Sequence, residues 1–300
     1  MKNDNILVSV VCDVYNHEPY LRQCFDGFVM QRTNFKFEVL VHDDASTDKS
    51  AEIIIEYTNK YPDIFKPIIQ KENQYSKGVG IWKTYQFPRV KGKYVALCEG
   101  DDYWTDPLKL QSQVEYMETH PGYTMCFHNA AILNETDVPQ FPISPIVEGD
   151  FNKNQIFEKW IIPTASVIFK YDIIQEVTKE QQVFSGDINL FLTCASHGKI
   201  HGFYKRMSVY RIQNNGLTLG RLNISKNNVY KKELEQCYFL FKKFELDRKI
   251  FLKKYAEWEF KLFGVTYEIS FLLKALKANA SYTILLLFKR IVNTLIVYRK

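Results

Sequence analysis

The stretch Leu97-Cys98-Glu99-Gly100-Asp101-Asp102-Tyr103-Trp104 places three carboxylates within four residues, directly after the apolar run Tyr94-Val95-Ala96. A short apolar run bounded by charge reads as a buried strand, here one that ends in acid. Carboxylates so close repel one another and raise each other's pKa. A divalent cation removes that cost, because hard Mg²⁺ or Mn²⁺ takes carboxylate oxygens readily. Gly100 lets the backbone turn close to a bound group. Alone, a Glu-Gly-Asp-Asp run is usually an acidic surface turn. Two more acidic strand ends favour a metal-diphosphate site: Asp13-Val14-Tyr15-Asn16 after residues 6–11, and His42-Asp43-Asp44 after residues 37–41.

The elements that must hold these residues follow from periodicity. Residues 6–11, Ile-Leu-Val-Ser-Val-Val, predict a buried parallel strand. From Pro19 the spacing of Leu21, Cys24, Phe25 and Phe28 turns helical. A second strand at 37–41 precedes a helix carrying Ile53, Ile54 and Tyr57, with Ser46 or Thr47 as its expected cap. A short third strand is expected at 67–69, a helical stretch near 81–87, and a fourth strand at 94. Strand and helix in alternation is the grammar of an open parallel sheet, and such sheets bind ligands outside the carboxyl ends of their strands. Neither a Gly-x-Gly-x-x-Gly nor a P-loop pattern is present, which disfavours dinucleotide binding and P-loop chemistry.

Composition sets wider bounds. The 300 residues, 46% hydrophobic and 24% charged, suit one large α/β domain with or without an appendage. The six cysteines are scattered with no Cys-x-x-Cys pair, which points away from zinc or a disulfide framework and toward a reducing cytosol. The N-terminus runs almost directly into a strand, so no signal peptide is expected. From 221 to 300 there are 17 Lys/Arg and 7 Asp/Glu, a net of +10, whereas the whole chain carries +5. A basic tail on an acidic body points to a polyanionic surface, membrane or nucleic acid.

Taken in order, Ser9-Val10-Val11, Tyr15-Asn16, Val41-His42-Asp43-Asp44-Ala45-Ser46-Thr47-Asp48, Glu99-Gly100-Asp101-Asp102-Tyr103-Trp104 with Pro107 and Lys109-Leu110, Gly186-Asp187 and Val209-Tyr210-Arg211 resemble the family 2 glycosyltransferases of the GT-A fold. The resemblance runs from Val8 to about Leu217. It implies an α/β fold with an open, mainly parallel sheet flanked by helices, and inverting transfer of a sugar from a nucleotide sugar. It also implies that Asp44 contacts the uracil with Tyr15 nearby, that Glu99-x-Asp101 stands for the family's Asp-x-Asp with Asp101 on the metal, and that Asp187 is the catalytic base. Asp102 joins the donor-binding set, and Lys77 and Arg211 are candidates for the diphosphate. Two motifs depart from the family pattern. Asp13-Val14 stands where Pro-Thr is common, and Glu99 is one methylene longer than Asp, which leaves open whether it meets the metal directly or acts through water or ribose. Asp187 also suits a helix N-cap before Ile188-Asn189-Leu190-Phe191, and the two roles are compatible.

Other residues carry blander readings. His17, His42 and His128 are possible metal ligands, but hard oxygen sites do not need imidazole, and structural roles are expected. Trp104 serves as core support for the acidic turn as readily as it stacks on a sugar. Thr164 or Ser166 is a candidate for facing the acceptor, and the Pro-rich stretch 133–152 is expected to be an irregular loop. The tail, residues 221–300 beyond a catalytic domain of 1–220, predicts helices over 229–244, 249–271 and 282–298. The catalytic domain divides into a donor half, about 1–110, and an acceptor half, about 111–220. The last helix has Ile284, Leu287, Phe288, Ile291, Leu295 and Tyr298 on one face, interrupted by Lys289 and Arg290, so it is no membrane span. That face suits either the membrane interface or docking onto the catalytic domain.

The reading is an inverting hexosyltransferase, dependent on Mn²⁺ or Mg²⁺. Its expected donor is a UDP-sugar, with glucose or galactose as the sugar. Its expected acceptor is a lipid-linked polyprenyl diphosphate sugar, in O-antigen or capsule assembly. The enzyme is expected in the cytoplasm, peripheral on the inner face of the plasma membrane. The alternative is a catalytically silent nucleotide-sugar-binding or scaffold protein of the same fold. Nucleic acid is not expected as a partner, because the tail's basic residues alternate with long apolar faces.

Overall fold

The computed structural model of the chain describes residues 6–135, 146–178, 184–213 and 217–297. Strands β1 (Ile6–Val14), β2 (Lys36–Asp43), β3 (Phe65–Ile69), β4 (Tyr94–Leu97), β5 (Tyr103–Trp104), β6 (Tyr123–Asn134), β7 (Gly149–Phe151), β8 (Ile168–Lys170) and β9 (Lys199–Ile212) form one sheet. Helices are α1 (Glu18–Val29), α2 (Ser50–Lys60), α3 (Lys109–Thr119), α4 (Lys153–Glu158), α5 (Ile173–Thr178), α6 (Gly186–His197), α7 (Leu217–Lys243), α8 (Arg248–Thr266), α9 (Ile269–Ala278) and α10 (Ala280–Val297).

The strand order is β3-β2-β1-β4-β8-β6-β9-β5, with β7 also on β9. The expected parallel sheet is found in β3-β2-β1-β4. Beyond β4 the sheet is mixed: β8 runs antiparallel to both β4 and β6, whereas β6 and β9 are parallel. Val8, Val10, Val11 and Cys12 of β1 are all buried, the pattern of a strand covered on both faces. Each such side chain gains about 1.5–3 kcal/mol on burial. Phe25 of α1 packs 5.1 Å from Tyr57 of α2 and 4.9 Å from Phe65 of β3, ring centre to ring centre. Phe28 lies edge-on to Trp104 at 4.8 Å. A Cβ at Gly27 would stand 3.0 Å from the Trp104 backbone, so glycine lets α1 lie against β5. This core sits directly behind the acidic turn.

Several local expectations change. The stretch near 81–87 forms a π-helical turn at Trp82–Gln86 and a 3₁₀ turn at Phe87–Arg89 instead of a regular helix. Neither Ser46 nor Thr47 caps α2: the helix begins at Ser50, whose N–H donates to Asp48. The Pro-rich stretch 133–152 is strand at both ends, in β6 and β7, and its residues 136–145 lie outside the described residues.

The chain divides into two compact units. One comprises Met1–Asn152, Lys159–Gln182 and Leu190–Ile212 and holds the sheet. The other comprises Lys153–Glu158, Val183–Asn189 and Gln213–Lys300. In the second unit, Lys153 donates to the Phe244 carbonyl, Asp247 N–H donates to Asn154, and Lys253 pairs with Glu158. Asp247 caps α8 by accepting from the Lys249 and Ile250 N–H groups. The helix expected over 249–271 is two helices. Tyr267 adopts a left-handed conformation, φ 59°, and ends α8. Ala256, Phe260 and Ala275 form a small core there, covered by Phe263, Leu272, Tyr282, Leu286 and Leu287.

Candidate active site

Three loops at the carboxyl ends of β1, β2 and β4 are tied together by their own polar groups. The Asp44 N–H donates to the Val14 carbonyl, and the Gly100 N–H donates to the Asp13 carbonyl. Asn16, in the left-handed region at φ 56°, donates its N–H to Ser46 Oγ and accepts from Thr47 N–H. Ser46 in turn donates to Asp43. The Ser46 and Thr47 hydroxyls thus brace the β1 and β2 turns against each other.

Asp44 is buried, and its two oxygens accept from the Gln74 and Tyr75 N–H groups at 2.7 and 3.0 Å. It therefore also fixes the segment after β3. Tyr15 follows Val14, whose carbonyl accepts the Asp44 N–H, and is 46% exposed, open for stacking. Lys77 closes the 3₁₀ turn Tyr75–Lys77 and forms an ion pair with Glu72 on an exposed surface.

The acidic turn is clamped from β9. Arg211 N–H donates to Asp102 Oδ1 at 2.8 Å, and its Nε donates to the Asp101 carbonyl at 2.9 Å. The guanidinium also bonds Glu135 and Gln23 and lies over the Tyr20 ring. Arg211 is buried, and these contacts make it the scaffold of the acids. Among the described residues the buried Asp102 Oδ2 has no hydrogen-bond partner, and burial together with the Asp101 charge pushes the Asp102 carboxyl well up. Trp104 is buried, donates its indole N–H to the Ala165 carbonyl, and carries the Lys109 ammonium 4.2 Å above its ring. Lys109 is itself buried, which brings its pKa down to about 7. Trp104 is the core support of the turn.

These side chains fit a divalent cation. A turn of three acids has one buried carboxylate oxygen unpaired and a carboxyl held up by its neighbour's charge. Among the described residues no three His, Cys, Asp or Glu side chains converge as a complete metal site. One or two protein donors is the arrangement in which Mg²⁺-type cations are completed by substrate phosphates and water.

The match to known proteins follows the same residues. The model of glycosyl transferase family 2 matches residues 9–178.

The chain belongs to the family 2 glycosyltransferases.

A Mycobacterium tuberculosis relative carrying only the label of an uncharacterized protein, Rv1520, is 37% identical over 217 residues, covering 70% of this chain and 60% of that protein's length. An Escherichia coli relative, the UDP-Glc:α-D-GlcNAc-diphosphoundecaprenol β-1,3-glucosyltransferase WfaP, is 33% identical over 113 residues, covering 38% of this chain and 42% of that one. The structure of Staphylococcus aureus TarS 1–349 with UDP-GlcNAc superposes with a TM-score of 0.65 at 18% identity, over 92% of this chain and 80% of that one. The fold is the GT-A fold expected from the motifs.

Of the expected site residues, Asp44, Glu99, Asp101, Asp102 and Tyr15 follow adjacent parallel strands. Asp187 lies in the second unit, in the first turn of α6, where its Oδ1 accepts the Ile188 N–H and burial raises its carboxyl. Ser166 does not face an acceptor: it is fully buried, and its hydroxyl donates to the Pro163 carbonyl. Residues not anticipated include Gln23 and Glu135, which hold Arg211, and Gln86. Gln86 donates to Asp13 and to the Cys12 and Leu40 carbonyls at the strand tips. A buried glutamine has no sequence signal of its own; only its neighbours reveal it.

Proposed function

We propose that the chain is an inverting, metal-dependent hexosyltransferase. In this reading it moves glucose or galactose from a UDP-sugar to a polyprenyl diphosphate-linked sugar, in O-antigen or capsule assembly. The observation that carries the reading is the braced rim on which Asp44 and the Glu99-Gly100-Asp101-Asp102 turn follow β2 and β4, the two neighbours of β1. Asp44 binds the uracil against Tyr15, and the acids after β4 meet the ribose and diphosphate. Asp101 holds the Mn²⁺ or Mg²⁺, with Glu99 and Asp102 beside it. That cation supplies positive charge for the departing diphosphate. Lys77 adds charge at the diphosphate, whereas Arg211 acts by holding Asp101 and Asp102. Asp187 takes the proton of the acceptor hydroxyl as that oxygen attacks the anomeric carbon. Its raised carboxyl pKa moves it toward the range that suits a base near neutral pH.

WfaP acts from UDP-Glc on a lipid diphosphate sugar, which supports both the donor and the acceptor class. The second unit supports the lipid side. Its α9 and α10 expose Ile269, Leu273, Ile284, Leu285, Phe288 and Ile291. From Ile269 to the end of the chain there is no acid, and Lys274, Lys277, Lys289 and Arg290 lie among the apolar residues. Exposed apolar residues whose only charged neighbours within these two helices are cations complement an anionic bilayer surface. No described helix is long and apolar enough to cross a membrane, so the proposed contact is peripheral, at the inner face.

The deciding test is transfer and hydrolysis across a panel of UDP-sugars, with and without Mn²⁺, for the wild type and Asp101→Asn. Turnover with one UDP-hexose that is lost in the variant, together with weaker metal-dependent UDP binding, is expected. Wild-type turnover in Asp101→Asn would remove the metal role. UDP-sugar binding with no turnover on any lipid-linked acceptor would favour a silent binding protein.

A further inference from the structure

We propose that His17, through its imidazole Nε2, is a ligand of the divalent cation held by Asp101. The protein's share of the metal site then becomes one carboxylate and one imidazole. The inference rests on the metal-dependent reading above and adds a nitrogen donor to it.

Nε2 of His17 stands 4.0 Å from Asp101 Oδ2, and the two side chains are only 17% and 14% exposed. That gap is too long for a hydrogen bond. It suits a shared cation: with metal–donor distances of about 2.1 Å, two ligands are roughly 3.0 Å apart when adjacent and about 4.2 Å apart when opposite. The backbone that carries the ring is held in place. His17 donates its backbone N–H to Ser50 Oγ at 2.9 Å, and its carbonyl accepts from Tyr20 and Leu21 at the start of α1. Nδ1 is buried against the glycine of the acidic turn, where a Cβ at residue 100 would come within 2.7 Å of it. Only the Nε2 edge is turned to Asp101.

The other histidines show what a structural role looks like here. His42 engages Gln70, His120 the Tyr116 carbonyl, His128 the Asn129 carbonyl, His197 the Thr193 carbonyl and His201 Asp150, each through a ring nitrogen at 2.9–3.2 Å. Among the described residues His17 makes no such bond; the acid that faces its Nε2 is Asp101. A nitrogen donor is taken more readily by a transition cation such as Mn²⁺ than by Mg²⁺, a hard cation that keeps to oxygen ligands. The pair therefore implies a preference for Mn²⁺ that carboxylates alone would not give.

The experiment is pulsed EPR on the full chain with UDP and Mn²⁺, using protein of natural isotope content and protein carrying ¹⁵N-histidine. Expected is a directly bound nitrogen signal that changes with the isotope and vanishes in both His17→Ala and His17→Gln. Mn²⁺ affinity in the presence of UDP should fall about tenfold or more in both variants, and Mg²⁺ affinity much less. Unfolding midpoints within a few degrees of wild type would show that both variants fold. A wild-type Mn²⁺ complex without a nitrogen signal, or a signal that survives in His17→Ala, overturns the assignment and leaves the metal reading standing. Failure of Mn²⁺ to bind with UDP overturns both.

Discussion

At the scale of single residues, the acidic turn works because its neighbours leave it room and hold it still. Gly100→Ala would drive a methyl group toward His17 Nδ1 and Val14. Such overpacking costs about 1–3 kcal/mol. Urea unfolding should register that loss, and metal-dependent UDP binding should weaken with it. Asp187→Asn should keep donor binding and lose transfer by about 10²–10⁴, the usual contribution of a general base. Burial raises the Asp187 carboxyl, so the acid limb of kcat/KM should fall above the ordinary carboxylate range, with activity rising as the pH climbs through it. A collapse of UDP affinity in Asp187→Asn, with transfer retained, would make the residue structural.

At the scale of elements, β9 holds the turn after β4 through Arg211. Lysine at 211 has one ammonium where the guanidinium serves Asp101, Glu135 and Gln23 together. Arg211→Lys should therefore destabilise the fold by about 2–3 kcal/mol, as buried acceptors lose their donors. Turnover should fall with it. A second element-scale test concerns β1 and the turn at 82–89. Burial pushes the Asp13 carboxyl up to about 6 from 3.8, and the Gln86 and Trp82 hydrogen bonds offset part of the rise. The folded state then holds this proton more tightly than the unfolded chain does between about pH 4 and 6. Stability is lost as the pH rises through that window, and the loss is complete above it. Asp13→Asn keeps a carbonyl for Gln86 and carries no charge. Relative to wild type it should gain stability from pH 4 to pH 7, by at most ~3 kcal/mol. Parallel unfolding curves at all pH values would show that Asp13 does not titrate in that window.

At the scale of the whole molecule, the question is what covers α9 and α10. Tyr282, Leu286 and Leu287 of α10 already pack on the small core of the second unit, so deleting this helix would uncover Ala256 and Ala275. Substitutions on the opposite side test the membrane contact without that damage. Ile284→Glu and Phe288→Glu change residues that are 58% and 64% exposed. Each should reduce co-sedimentation with anionic vesicles and leave the unfolding midpoint unchanged. Binding of the wild type should weaken in high salt, since each basic residue near an anionic surface contributes about 1 kcal/mol. Equal pelleting with neutral vesicles, or a face covered instead by a second copy at micromolar concentration, would remove the membrane reading.

The amino-acid sequence alone made the strands and their acidic ends legible. Strands and their acidic ends are local patterns: apolar runs that must be buried, followed by carboxylates that must be near solvent or a cation. The helices on the faces followed from spacing in the same way. What the sequence left open depends on partners far along the chain. Arg211 reads as a diphosphate cation until β9 is seen to return beside β5, bringing Glu135 and Gln23 to its guanidinium. His17 has no visible link to the acids in the sequence, and only the turn after β4 sets Asp101 opposite its Nε2. The mixed half of the sheet was invisible because strand direction depends on where the chain comes back, and local periodicity is the same in either direction. The break between α8 and α9 was invisible because Tyr267 is an ordinary helical residue by type and is left-handed only in the packed structure. Burial pattern is written residue by residue; the pairing of buried polar groups is decided when distant segments meet, because each must find its partner or pay for leaving water.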